Sequence, residues 1–178
     1  MVGAVAPSSE RLAHEVLRHA DLENAATVVE LGAGTGAITR EILAQVKPGT
    51  RVIVVELDEK HSELLTHRFP GAIVCCDSAE NLQAILRRHG CRRADVVVSS
   101  LPWASLPVPV RERITTAILG SLEDDGRLCG FGYVHAAWHP AVRAFHERLR
   151  SNFASVYISP VVWANLPPAF VYNLAGPC

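Results

Sequence analysis

Five short runs are apolar almost without a break: ATVVEL at 26–31, RVIVVEL at 51–57, AIVCC at 72–76, DVVVSS at 95–100 and RLCGFGY at 127–133. Continuous apolar character of this length is what a strand buried on both faces of a parallel sheet requires. Between the runs, apolar positions return every three to four residues, which predicts helices at about 9–20, 36–46, 59–67, 79–89, 108–122 and 139–150. In the first of them Leu12, Ala13, Val16, Leu17 and Ala20 share one face, the stripe a helix lays on a sheet. After the sixth helix the alternation stops. Two strands follow in succession, at roughly 153–164 and 169–174, and predict a hairpin and an antiparallel edge.

The expected fold is therefore α/β, with one Rossmann-like doubly wound sheet and an antiparallel C-terminal hairpin strand. No repeat, linker or low-complexity segment divides the chain, so residues 1–178 are expected to form one domain. With 178 residues and 49% hydrophobic content the chain can bury one good core. A formal charge of −1 gives no global electrostatic case for wrapping nucleic acid. Five cysteines, odd in number and without C-x-x-C spacing, indicate neither a disulfide framework nor a zinc site. MVGAVAPSSE does not read as a signal peptide, and Pro160, Pro167 and Pro168 interrupt the apolar stretch near the C-terminus. A cytoplasmic protein is expected.

Chemistry enters at the first strand exit, ELGAGTG. Gly32, Gly34 and Gly36 allow the backbone to approach a ligand closely and enter a helix at once. Gly32-x-Gly34-x-x-Ala37 also satisfies the loose dinucleotide pattern, with Glu56 24 positions beyond Gly32. The glycines alone do not choose between NAD and another nucleoside. Glu30 does: a carboxylate there can face an ammonium, whereas it would repel a pyrophosphate. S-adenosylmethionine offers an ammonium, a sulfonium and no phosphate. Glu56, at the end of the next strand, can accept both ribose hydroxyls, since an ionised carboxylate has two acceptor oxygens. Asp77, one strand further, can take an adenine amino proton. Leu57 and Ser78, the neighbours of these two acids, complete the expected nucleoside contacts.

With these residues in view, the chain resembles the class I S-adenosylmethionine-dependent methyltransferases. The resemblance implies a seven-stranded sheet whose last strand is antiparallel. Ser99-Ser100-Leu101-Pro102 is similar to the S-G-L-P stretch of bacterial phospholipid N-methyltransferases, and Ser100-Leu101-Pro102-Trp103 resembles, less closely, the N-L-P-Y stretch of ribosomal RNA adenine dimethylases. GAVAPSS at 3–9 and W-x-N-L-P-P-A-x-V-Y at 163–172 strengthen the lipid likeness. It implies methylation of a phosphatidylethanolamine-type head group or another small amine, with peripheral contact to an anionic membrane. Alternatives are a soluble natural-product or metabolite acceptor, a nucleotide-binding module without transfer activity, and an NAD-linked oxidoreductase. The last lacks an evident hydride-transfer acid or base.

Transfer of a methyl from a sulfonium to a neutral amine needs orientation and a dry site more than a strong base. Ser99 or Ser100 and the Leu101-Pro102 turn are expected to aim the amine. Trp103 would shield the site and offer a π face to developing positive charge, the plain alternative being a core tryptophan. Tyr133 would lie across the same pocket. Ser9 is a helix N-cap, and Ser8 or Ser9 is also a candidate contact to the methionine carboxylate. His135 and His139 have no third ligand nearby, so no metal is expected. Arg87, Arg88, Arg92 and Arg93 form either a solvated helix end or an anionic head-group contact. Ser100 replaces the Asn of N-L-P-Y, there is no room for the added helical domain, and the charge is not basic; ribosomal RNA is therefore disfavoured as a partner. The chain begins almost at GAVAPSS, so an amphipathic segment ahead of it is expected to be missing or short.

Overall fold

The computed structural model describes residues 9–178. Its elements alternate as the apolar runs require: α1 (Glu10–Leu17), β1 (Thr27–Leu31), α2 (Ala37–Gln45), β2 (Arg51–Glu56), α3 (Glu59–Arg68), β3 (Ile73–Cys76), α4 (Leu82–Arg88), β4 (Ala94–Ser99), α5 (Val108–Leu119) and β5 (Leu122–Tyr133). A four-residue helix α6 (Val134–Ala137), then α7 (Pro140–Arg150), β6 (Phe153–Ile158) and β7 (Ala169–Pro177) complete the chain. The strands form one seven-stranded Rossmann-like sheet in the order β3-β2-β1-β4-β5-β7-β6. β1 to β5 run parallel, and β7 lies antiparallel between β5 and β6.

The central strands are buried throughout because helices cover both faces. Val28, Val52, Val54, Val96 and Val98 meet α1, α2 and α3 on one face through Leu12, Val16, Ile38, Ile42 and Leu65. Val29, Leu31, Ile53, Val55 and Val97 meet α4, α5 and α7 on the other through Leu82, Ile85, Ile118 and Leu149. Alternate residues of one strand thus feed two separate cores, which is why these runs are apolar almost throughout. Helix starts follow local chemistry: Ser9 Oγ accepts from Leu12 N at 3.2 Å, and Asp58 Oδ1 from His61 N at 2.9 Å.

Three boundaries depart from the sequence reading. Residue 122 opens β5 instead of closing α5, and the pairing jumps from Ala94↔Leu122 to Val96↔Arg127, so the polar Glu-Asp-Asp-Gly stretch bulges out of the ladder. The expected helix at 79–89 begins as a 3-10 turn over Ala79–Asn81 before α4. β6 stops at Ile158, leaving only an isolated bridge between Val162 and Ala169. Among the described residues no helix is long and apolar enough to cross a membrane.

Candidate functional site

After β3 the chain returns to the far side of β1 and lays down β4, so β1 and β4 part at their carboxyl ends, where open α/β sheets bind ligands. The strand exits are tied to one another: Gly32 N donates to Val55 O at 2.8 Å, Asp77 N to Glu56 O at 3.1 Å and Ser100 N to Leu31 O at 2.9 Å.

The turn between β1 and α2 is left-handed at all three of its glycines, with φ +75° at Gly32, +55° at Gly34 and +83° at Gly36. Two of them also lack space. A Cβ on Gly36 would stand 2.3 Å from Phe69 Cε2, and one on Gly32 2.9 Å from Leu101 Cδ2. A Cβ on Gly34 would meet nothing within 4 Å. The backbone is thus wedged against α3 and the Leu101 turn at its ends and open at its middle.

Glu56 secures this turn, a contact the sequence did not disclose. Its Oε2 accepts from Gly34 N at 2.8 Å and its Oε1 from Asp58 N at 3.0 Å. Each oxygen keeps a second acceptor position. Leu57 beside it is 74% exposed, a free apolar surface at the same edge.

Glu30 is fully buried. Its Oε2 accepts from Thr39 Oγ1 at 2.6 Å, while Oε1 is buried without a partner. Burial pushes its pKa up to about 7, against the Thr39 hydrogen bond and with help from the Glu56 charge. A sealed carboxylate with an orphan acceptor fits a ligand carrying a cationic donor. Together with the open Gly34 backbone and the Glu56 oxygens, this donor set fits S-adenosylmethionine.

Asp77 sits in a denser network than sequence alone indicated. Asn81 and Arg88 donate to its side chain, as does Ser78 N at 2.8 Å, and these bonds, led by that of Asn81, hold its carboxyl below the usual range. Ser78 Oγ caps the following turn by accepting from Glu80 N at 3.3 Å.

At the β4 exit Ser99 Oγ accepts from Trp103 Nε1 at 3.0 Å. Trp103 is buried and stacks on Phe145, ring centroids 4.9 Å apart, so its faces are engaged in the core. The Leu101 carbonyl accepts from Trp103 N at 2.8 Å, which closes the turn. Ser100 differs from its neighbour: its Oγ is buried with no partner. Tyr133, at the end of β5, is partly exposed; its ring stacks on His135 at 5.7 Å, and burial raises its hydroxyl pKa.

Ser8 lies outside the described residues. Ser9 N donates to Asn165 Oδ1 at 3.0 Å, and Asn165 Nδ2 donates to Pro167 O at 2.8 Å. Ser9 and the WANLPPA segment therefore meet through Asn165, 156 residues away in sequence. Among the described residues no cluster of three His, Cys, Asp or Glu side chains could hold a metal. Of the arginine cluster, Arg88 pairs with Asp77 and Arg93 with Asp124.

The ribosomal RNA adenine dimethylase family profile matches residues 8–85. An ornithine lipid N-methyltransferase of Singulisphaera acidiphila is 33% identical over 98% of this chain and 88% of its own length. A ribosomal RNA small subunit methyltransferase A of Thermotoga neapolitana is 31% identical over 64% of this chain, which spans 41% of that protein. Among solved structures, the N-methyltransferase NodS of Bradyrhizobium japonicum aligns with a TM-score of 0.70 at 12% identity, covering 93% of this chain and 94% of that one. TrmN of Thermus thermophilus gives 0.69 at 19%, covering 94% and 48%. At such identities the structural matches speak for the fold.

Proposed function

Since the chain belongs to the class I S-adenosylmethionine-dependent methyltransferases, we propose that it is an N-methyltransferase whose acceptor is the amine of an aminolipid head group, of the ornithine-lipid or phosphatidylethanolamine kind. The observation that carries this reading is where the similarity lies. The ribosomal RNA dimethylase profile ends at residue 85, and the ribosomal RNA methyltransferase of Thermotoga neapolitana matches 64% of the chain. The lipid-methylating relative matches along 98% of the chain, including the β4 to β7 half where the acceptor must enter.

S-adenosylmethionine would supply the methyl carbon of a sulfonium: the amine lone pair attacks it in line, the carbon–sulfur bond breaks to release S-adenosylhomocysteine, and the methylated nitrogen gives up its extra proton to solvent. The Gly34 backbone and the Glu56 oxygens hold the ribose end. Leu57 covers one adenine face, and Asp77 with Ser78 borders its edge. Glu30 receives the cationic amino-acid end. Ser100 Oγ accepts an amine hydrogen and aims the lone pair, Leu101 sets the depth of the pocket against Gly32, and Tyr133 screens it from water. Ser99 and Trp103 act behind these groups by fixing the turn, and Ser9 positions α1.

The test is an acceptor screen by mass spectrometry with S-adenosylmethionine and, in parallel, ornithine lipid, phosphatidylethanolamine, soluble primary amines and a small-subunit ribosomal RNA fragment. Methylation of a lipid amine is expected. Methylation of adenine in the RNA or of a soluble amine, with the lipids untouched, would overturn the assignment.

A further inference from the structure

Three large apolar side chains stand almost bare: Trp138 is 82% exposed, Trp163 75% and Leu166 80%. Isolated exposed apolar residues need no explanation; these share one edge. Trp138 directly follows α6, while Trp163 and Leu166 lie in the connection from β6 to β7. Val134 N, at the start of α6, donates to the Pro168 carbonyl at the end of that connection at 3.0 Å. β7 runs antiparallel to β5 with Tyr133 opposite Ala169. The connection therefore turns at the carboxyl edge of the parallel strands, the edge that carries the glycine turn, Ser100 and Tyr133.

We propose that Trp138, Trp163 and Leu166 form a lipid-docking rim that enters the interfacial layer of an anionic bilayer and holds the mouth of the acceptor pocket against it. The proposal rests on the aminolipid reading for its purpose, and on exposure, topology and an uncharged connection for its location. Tryptophan suits the head-group layer, where its ring is half apolar and its N–H stays hydrated. The ten residues from Ser159 to Pro168, which carry Trp163 and Leu166, hold no charge that would oppose entry into the head-group layer, and Arg143 lies in the first turn of α7, shortly after Trp138. Glu147 lies 3.9 Å from Arg143.

The arginines near residue 90 are the competing membrane contact, and the fold places them badly for delivery. Cys91 contacts Thr27 Oγ1 and Arg51, at the starts of β1 and β2, so Arg92 and Arg93 sit at the amino edge of the sheet. A bilayer held there would stand a full strand length, about 17–20 Å, from the acceptor mouth. Arg88 and Arg93 are moreover paired with Asp77 and Asp124.

Vesicles of phosphatidylcholine with roughly one quarter phosphatidylglycerol supply the anionic surface for the test. The full chain should float with them, and its tryptophan emission should shift to the blue and be quenched by brominated acyl chains. Trp103 is 4% exposed and stays silent, so the signal reports on Trp138 and Trp163. The triple variant Trp138→Gln, Trp163→Gln, Leu166→Gln should keep the melting temperature and S-adenosylhomocysteine affinity of the parent. Each lost anchor should cut vesicle partitioning by about tenfold, the size expected for one large apolar side chain. Turnover of aminolipid in vesicles should fall with it, while turnover of the same head group in detergent micelles is largely kept. Changing Arg87, Arg92 and Arg93 to Gln should leave flotation largely intact. Failure of the parent to bind vesicles, binding by the triple variant at parent strength, or equal turnover of vesicle substrate by both would overturn the rim. Vesicle binding lost in the triple variant, but with no lipid amine methylated in any form, would support the rim and reject the aminolipid acceptor.

Discussion

On the β1 side of the sheet the sealed ionisable group is a carboxylic acid, Glu30, held by Thr39 of α2 with one oxygen unpaired. On the β7 side it is an imidazole, His146 of α7, ringed edge-on by Phe145, Phe170 and Tyr172. Burial lifts Glu30 to about 7 and lowers His146 to about 4, Arg150 and Arg111 adding to the latter. Both groups are therefore kept toward neutrality when the chain is alone, for the same reason. Their surroundings differ in kind. His146 lies among aromatic rings that fill its space, and a neutral imidazole there is a core side chain. Glu30 borders an open glycine turn and retains an acceptor that the chain leaves unused. The contrast separates a buried polar group that completes packing from one that waits for a ligand.

The comparison breaks most severely at the turn itself, because the β1 side depends on a backbone that no side chain tolerates. Gly36→Ala places a Cβ against the buried Phe69 and Leu65 rows at φ +83°. Left-handed strain and overpacking together should lower stability by about 2–5 kcal/mol. Urea unfolding checks this, with exposed Trp138→Gln on the opposite side expected to stay within about 0.5 kcal/mol. A Gly36→Ala protein as stable as its parent would mean the wedge against α3 is not real.

The two buried groups should give opposite pH slopes. Folded Glu30 keeps its proton up to about 7, whereas the unfolded chain releases it near 4.5. The folded state thus binds more protons in that interval, and stability present below 4.5 is lost as pH rises through 7. His146 works the other way: the unfolded imidazole protonates near 6.5 and the folded one only near 4. Its contribution is complete above 6.5 and is lost as pH falls toward 4. Each shift corresponds to about 3 kcal/mol, so the slopes nearly cancel between pH 4.5 and 6.5. Glu30→Gln should leave stability rising with pH across that interval, and His146→Leu should leave it falling. A cationic ligand favours ionised Glu30, so S-adenosylhomocysteine should bind more tightly at pH 8 than at pH 6, a dependence that Glu30→Gln flattens. Calorimetry at the two pH values decides it.

Glu56 sharpens the contrast within the β1 side. It is held by two backbone donors where Glu30 has one partner. Glu56→Ala should weaken S-adenosylhomocysteine binding by about 1.5–3 kcal/mol, the range for hydrogen bonds to a charged group. It should also loosen the turn, seen as faster amide exchange at Gly34 and Asp58. Unchanged affinity in the folded variant would remove Glu56 from the cofactor site.

The β1 side was far more legible in the sequence than the β7 side, for physical reasons. Strands buried on both faces write themselves as apolar runs, and a turn that must be left-handed writes itself as glycine. Those two signals, with the three-to-four-residue periodicity of the helices, located β1 to β4, α1 to α5 and the three acids, and on the far side α7 and the two hairpin strands. What they omitted is long-range: Glu56 reaching back to Gly34, Arg88 and Asn81 meeting at Asp77, and Asn165 closing on Ser9 have no local periodicity. On the far side, α6 is only four residues long, about one turn, and cannot show a repeating pattern. The Leu122 strand start was hidden because its bulge is polar and continues a helical run. Trp103 also reads ambiguously, since a tryptophan after a strand serves a pocket or a core with the same letters. Its 4% exposure and its bond to Ser99 place it in the core.

The smallest effect tests that distinction at adjacent residues. Ser99 Oγ has a donor, Trp103 Nε1, and Ser100 Oγ has none although both atoms are buried. Removing a made hydrogen bond costs net stability of about 0.5–1.5 kcal/mol, whereas deleting an already unsatisfied hydroxyl is close to neutral. Trp103→Phe should therefore lower the unfolding midpoint while leaving kcat on the lipid amine near the parent value. Ser100→Ala should do the reverse, keeping stability and cofactor affinity but lowering kcat by about tenfold, as expected for a group that orients the acceptor in the transition state. Comparing melting curves with turnover at saturating cofactor separates the two. If Ser100→Ala turns over normally and Trp103→Phe does not, the acceptor contact belongs on the Trp103 face of the sheet, and Ser100 is only the residue that ends β4.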